Sequence, residues 1–115
     1  MGRLFAVLAV CAAAACEPAW SVQGHVRAAD GSAAVAGALA TLRCPGEADR
    51  TARSDRYGLF ELGGPGAGPS LACAVLVAAT GRGPSEIPLR DACEDPSDVA
   101  GKCSVAVVDV PLPAR

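Results

Sequence analysis

A single all-β sandwich of about a hundred residues, preceded by an export signal, is the fold this chain predicts. Three observations predict it. Short apolar runs recur between turn residues every 8 to 15 positions, the spacing of a sandwich or barrel. Gly (13) and Pro (9) together exceed ordinary usage in a chain of 115 residues, which favours many turns over long helices. Four cysteines lie beyond residue 40, and a small exported core is commonly stapled by disulfides.

The export signal bounds the domain. Arg3 is followed by the apolar run Leu4 to Ala15, which ends at Cys16 with Glu17-Pro18 behind it. A short charged region, a short apolar region and a small-residue zone make a secretory signal over residues 1–15, too short to cross a bilayer as a helix. Ala13-Ala14-Ala15-Cys16 resembles the lipobox of bacterial lipoproteins, in which the cysteine after the small residues is acylated and becomes the first mature residue. Its first position is Ala where a larger aliphatic is commoner, and Cys11 fits less well because Val10 precedes it. Cysteine parity agrees. With Cys11 lost and Cys16 lipidated, Cys44, Cys73, Cys93 and Cys103 can pair completely, whereas an ordinary cut before Cys16 leaves one thiol over. A cut beyond Cys16 also restores an even count.

The mature chain from Cys16 holds 100 residues, enough for one domain with a modest core. Loss of Arg3 takes the net charge from −2 to −3, and no basic patch invites nucleic acid. Asn is absent, and Lys102 and Ile87 are the single residues of their kinds, the mark of a GC-rich genome. Its abundant alanines therefore say little about helix.

Seven strands follow in order. Trp20 to Arg27 alternates Val22, Gly24 and Val26 against Gln23, His25 and Arg27. Asp30-Gly31 turns the chain, and Ala38 to Cys44 sets Ala38, Ala40, Leu42 and Cys44 against Leu39, Thr41 and Arg43. A polar strand from about Arg50 to Ser54 meets the D-R-Y-G turn, and Leu59 to Leu62 returns from it as a hairpin. Gly63 to Pro69 is expected to be irregular. Leu71 to Ala79, the most apolar strand, belongs in the middle of a sheet. Ser85 to Leu89 carries Pro88 and belongs on an edge. Ser104 to Val110 is the last, with a frayed tail expected after it. The organisation is thus a signal over 1–15, a tether over 16–19, a domain over 20–112 and a tail over 113–115.

The stretches V-Q-G-H-V-R-A-A-D-G-S-A-A-V-A-G-A-L-A-T-L (Val22 to Leu42) and S-D-R-Y-G-L-F-E-L (Ser54 to Leu62) resemble the carboxypeptidase regulatory-like domain. The likeness spans about the first half of the mature chain and implies a seven-stranded transthyretin-like, or Ig-like, β-sandwich. Ala34 stands where that family usually has Pro, and Ala40 where it usually has Val. Physically, Gly31 and Gly37 fall at turn and strand entries, Gly58 where the hairpin needs positive φ, and Asp55 where its carboxylate can cap the turn.

In an oxidising compartment the four cysteines form two disulfides, with three possible pairings. Cys44 and Cys73 both lie on inward faces, which pairs them and leaves Cys93 with Cys103 around an acidic loop. No C-x-x-C spacing is present, so neither zinc nor any other cofactor is expected.

An enzyme is not expected either. The single His25 sits between Gln23 and Arg27 on a solvated face, and the tail P-L-P-A-R lacks the Y-R-G-S signature of the transthyretin-like hydroxyisourate hydrolase. The expected function is a non-catalytic, lipid-anchored module of the cell envelope. It would bind or space another envelope protein through the hairpin and the Cys93 to Cys103 loop, meeting the membrane by its lipid and no nucleic acid. An accessory subunit of an envelope peptidase is the second reading. A carbohydrate-binding module is the third, with Trp20 and Tyr57 as its aromatics.

Overall fold

Period-two alternation carries the architecture. In the computed structural model, which describes residues 19–115, β1 (Ala19–Ala28) buries Trp20, Val22, Gly24, Val26 and Ala28 and turns the residues between them outward. It is followed by β2 (Leu39–Arg43), β3 (Arg50–Arg53), β4 (Leu59–Pro65), β5 (Ala74–Ala78), β6 (Ser85–Pro88), a single helical turn α1 (Leu89–Ala92), β7 (Cys93–Pro96) and β8 (Cys103–Leu112). Two four-stranded sheets face each other, ordered β4-β1-β8-β7 and β3-β2-β5-β6. The first and last long strands run parallel in the centre of the first sheet, from Ser21 opposite Val105 to Ala28 opposite Leu112. Every other strand pair is antiparallel.

Valine and alanine dominate the space between the sheets. Val22, Val26, Val75, Val77 and Val110 are fully buried, and Leu89 and Leu112 are the largest side chains among those wholly enclosed. Such small side chains bury little area each, so their close fit carries the stability. Ser54, the one buried polar residue described, is satisfied on both sides. Its hydroxyl donates to the Val35 carbonyl (2.7 Å) and accepts from the Ala38 amide (2.9 Å), tying the end of β3 to the entry of β2.

The hairpin turn is built by its own side chains. The Asp55 carboxylate accepts from the amides of Tyr57 (2.8 Å) and Leu59 (3.0 Å). Gly58 adopts φ +79° against β1, where a Cβ would run into the Val26 carbonyl oxygen, so no other residue fits. Gly31 and Gly37 likewise have positive φ.

Several expectations are corrected. Eight strands replace seven, because Cys93–Pro96 pairs with β8 as an irregular edge strand despite its acidic, proline-containing sequence. The glycine-rich stretch enters regular structure, since Gly63 to Pro65 continue β4 opposite Ala19 to Ser21. The strand expected to run to Leu89 stops at Pro88. There α1 turns Leu89 and Ala92 into the core, with the Leu89 amide donating to the Cys73 carbonyl. The tail is not frayed. Pro111 and Leu112 belong to β8, the Gly83 amide donates to the Pro113 carbonyl (2.9 Å), and Ala114 bridges Arg82. Both predicted sheet positions appear, with β5 internal and β6 on an edge. The signal over 1–15, Cys11, Cys16 and the tether up to residue 18 lie outside the described residues, and Ala19, counted with the tether, begins β1.

Two disulfides join Cys44 to Cys73 and Cys93 to Cys103. They fit an oxidising, extracytoplasmic environment. Among the described residues no helix is long and apolar enough to cross a membrane.

Candidate functional site

The outer face of the second sheet departs from the rule that a solvated face is polar. Alternation turns Ala40, Leu42, Val75 and Val77 inward, which leaves Leu39, Thr41, Leu76 and Ala78 pointing away from the core. Strand register sets them side by side, with Leu39 opposite Ala78 and Thr41 opposite Leu76. Beyond them Arg53 stands opposite Leu39 on β3, and Glu86 stands opposite Leu76 on β6. The result is a shallow hollow of about 420 Å³ with an apolar floor, lined also by Pro84. Arg43 at its far corner is held by Asp49 (3.0 Å), so its charge is already matched.

The outer face of the first sheet is different. His25 stands between Leu59 and Asp109 of the neighbouring strands, and the next row is Glu61, Gln23 and Val107. Its apolar members, Leu59 (49 % exposed) and Val107 (51 %), are separated by polar side chains. Those side chains satisfy one another. Arg27 donates through Nε and Nη2 to both Asp109 oxygens (3.0 Å each), and Gln23 donates to Glu61 (3.2 Å).

The bond from Arg27 holds the Asp109 carboxyl below its ordinary range. A depressed carboxyl stabilises the fold above its unfolded pKa, and the contribution disappears as pH falls through the folded value. Stability against urea should therefore fall on acidification through and below the ordinary carboxylate range. Asp109→Asn should flatten that acid limb, and an unchanged slope would deny Asp109 its part. The exposed position of both partners keeps the effect small.

The sequence-predicted contact surfaces are not brought together. The Asp55–Gly58 hairpin sits at the end where β1 and β8 finish, with the Gly58 carbonyl accepting from Val26. The loop between Cys93 and Cys103 is at the opposite end, where Lys102 bridges Ser70 and the Gly101 carbonyl accepts from Leu71. Trp20 is not a platform for sugars. It is 8 % exposed, and the Arg50 guanidinium lies 5.3 Å from its ring centroid. Tyr57 is exposed at the hairpin tip beside Arg56. Among the described residues no three His, Cys, Asp or Glu side chains are grouped to hold a metal ion.

No family model matches the chain, and no curated protein matches it. Solved structures do. The chain is similar to hydroxyquinol 1,2-dioxygenase from Pseudomonas putida DLL-E4, with TM-score 0.56 and 12 % identity over 86 % of this chain and 57 % of that one. It is similar to 3-chlorocatechol 1,2-dioxygenase from Rhodococcus opacus 1CP, with TM-score 0.57 and 13 % identity over 86 % of this chain and 61 % of that one. The major plantain pollen allergen Pla l 1 aligns with TM-score 0.50 and 15 % identity over 84 % of this chain and 94 % of the allergen. The chain therefore spans less than two thirds of the dioxygenases' length, and at these identities the likeness shows an all-β sandwich fold alone.

These neighbours correct the expectation that the chain is not an enzyme. Sandwiches of the same build occur in dioxygenases, so neither the fold nor the lack of a sequential catalytic motif excludes catalysis. The physical reason is that catalytic groups can be contributed by separate strands and meet only in space, where no motif records them.

Proposed function

We propose that this protein is an exported β-sandwich module that docks another protein of the cell envelope on the outer face of β2 and β5. One observation supports it above others. A strand of an antiparallel sheet open to solvent on one face ordinarily alternates apolar with polar residues, and the run Val75-Leu76-Val77 does not. Val75 and Val77 meet the first sheet, whereas Leu76 and Leu39 are only half-buried, over a hollow of about 420 Å³. A contiguous apolar patch rimmed by charged side chains is characteristic of a protein-binding surface.

In this reading Cys16 carries lipid and holds the sandwich at the membrane, since only Glu17 and Pro18 separate it from β1. The resemblance of Val22 to Leu42 and Ser54 to Leu62 to the carboxypeptidase regulatory-like domain agrees with the alternating strands and turn glycines. It also keeps open the second reading, an accessory subunit of an envelope enzyme.

A photo-crosslinking residue at Leu76, in the full chain expressed in its native envelope, tests the face. Irradiation should give one discrete product, and the same residue at Val107 on the other sheet should give none. Equal products from both positions, or none from Leu76, would overturn the docking face. Intact mass of the native protein would report lipid on Cys16 in the same preparation.

A further inference from the structure

At the end of the β2–β5 face, next to the apolar hollow, lies a second one of about 240 Å³. Ala78 and Pro84 line both, so the two form one continuous surface. The second hollow is cationic. Arg53, Arg82 and Arg115 line it together with Gly37 and small or apolar residues, and no acidic side chain contributes to its wall. Among the described residues none of the three guanidiniums forms a salt bridge, whereas Arg27 and Arg43 both do. Arg53 spends one N–H on the Gly37 carbonyl (3.0 Å), and Arg82 shares some of its field with the nearby Asp30.

Three distant segments supply these cations. Arg53 ends β3, Arg82 lies in the turn after β5, and Arg115 is delivered by the tail that Gly83 and Arg82 pin in place. Three guanidiniums lining one hollow repel one another, with Asp30 offsetting part of the charge of Arg82, and an anion entering the hollow relieves that repulsion. Guanidinium forks match carboxylates in shape as well as in charge.

We infer that the docked partner presents an extended acidic segment. Its apolar side chain lies over Leu39 and Leu76, and a carboxylate enters the hollow of Arg53, Arg82 and Arg115. This rests on the docking face proposed above and adds the partner's chemistry. The position suits such a partner. The cationic hollow lies at the end where β8 finishes, where Ala114 bridges Arg82, whereas β1 begins at the opposite end, beside Cys44. With a lipid ahead of β1, the cationic end of the site would face away from the membrane.

The Leu76 crosslink in the full chain also tests this inference, with Arg82→Gln/Arg115→Gln introduced alongside it. The crosslink yield should fall about tenfold in the Gln variant, while Arg82→Lys/Arg115→Lys should retain much of it. Added salt should lower the yield for the parent and hardly affect the Gln variant. Mass spectrometry of the crosslinked peptide should place Asp or Glu within a few residues of the attachment point. Matched thermal melts of all variants exclude a folding defect. A yield unchanged by the Gln variant and by salt, or a crosslinked segment without acidic residues, would overturn the acidic partner and leave the docking face standing. No crosslink at all would remove both. As a separate arm, inorganic phosphate is titrated into the purified protein while the arginine Nε–H resonances are followed by NMR. Saturation of all three arginines at micromolar phosphate would make the hollow a small-anion site and overturn the peptide.

Discussion

Gly24→Ala is expected to cost about 2 to 4 kcal/mol, an unusually large penalty for one methyl group in a strand. Gly24 lies on the buried face of β1, directly opposite Phe60 of β4, and the Phe60 ring fills the space where its Cβ would stand. To make room the ring must shift within the packing that buries it between the sheets. An aromatic covering a cross-strand glycine pins register as well as filling volume. Phe60→Ala alone should cost about 3 to 5 kcal/mol by leaving a cavity. In the double variant the new methyl enters the space the ring vacated, so the two costs should not add. Urea denaturation of the four proteins measures the coupling, expected at about 1 to 3 kcal/mol in the rescuing direction. Additive losses would mean that Gly24 is required for some reason other than the ring.

That pair also shows what the amino-acid order made legible. Val22, Gly24 and Val26 against Gln23, His25 and Arg27 is a clean period of two, and β1 buries the first set. The same alternation located the faces of β2 and of β5, and Pro88 the edge position of β6. Pattern fails where pairing supplies what side chains do not. Cys93–Pro96 has no apolar face, and it is a strand because β8 supplies hydrogen-bonding partners and a disulfide holds it there. The tail repeats the lesson. Val110, Pro111 and Leu112 alternate buried, exposed, buried, yet the proline disguised a strand in which its missing N–H costs nothing, because β7 pairs with β8 only as far as Ala106 and leaves that edge open beside Pro111.

The candidate site was half legible. A run of Val75-Leu76-Val77 announces an apolar strand, but a strand covered on both faces and one with an open apolar face read alike from sequence. Only the two-sheet arrangement exposes the Leu76 side. The cationic hollow left no local trace at all. Arg53, Arg82 and Arg115 are 29 and 33 positions apart and meet only because the tail pairs with the turn after β5. A net charge of −2 conceals them, since the chain holds 12 carboxylate residues against 10 cations.

Removing the two disulfides should separate a global effect from a local one. Arg43 pairs with Ala74, so Cys44 and Cys73 continue that ladder by one rung and tie β2 to β5 within the second sheet. Their sequence separation is 29, against 10 for Cys93 and Cys103. Loop-closure entropy then assigns about 3 to 4 kcal/mol to the first bridge and about 2.5 to 3 kcal/mol to the second. Alanine is the proper replacement at Cys44 and Cys73, because a serine hydroxyl there would be buried beside Leu42 and Val75. Cys44→Ala/Cys73→Ala should lower the urea midpoint of the whole domain, since β2 and β5 form the centre of their sheet. Cys93→Ala/Cys103→Ala should act differently. β7 is an edge strand with a broken register, and without its bridge its amides should exchange hydrogen rapidly while those of β1 and β2 remain protected. Equal loss of protection throughout the domain in both variants would mean that β7 belongs to the same cooperative unit as the core. In that event the irregular edge would be stabilised by more than its disulfide, with Ala92 and Leu89 of the adjoining helical turn, both buried, as the structural link.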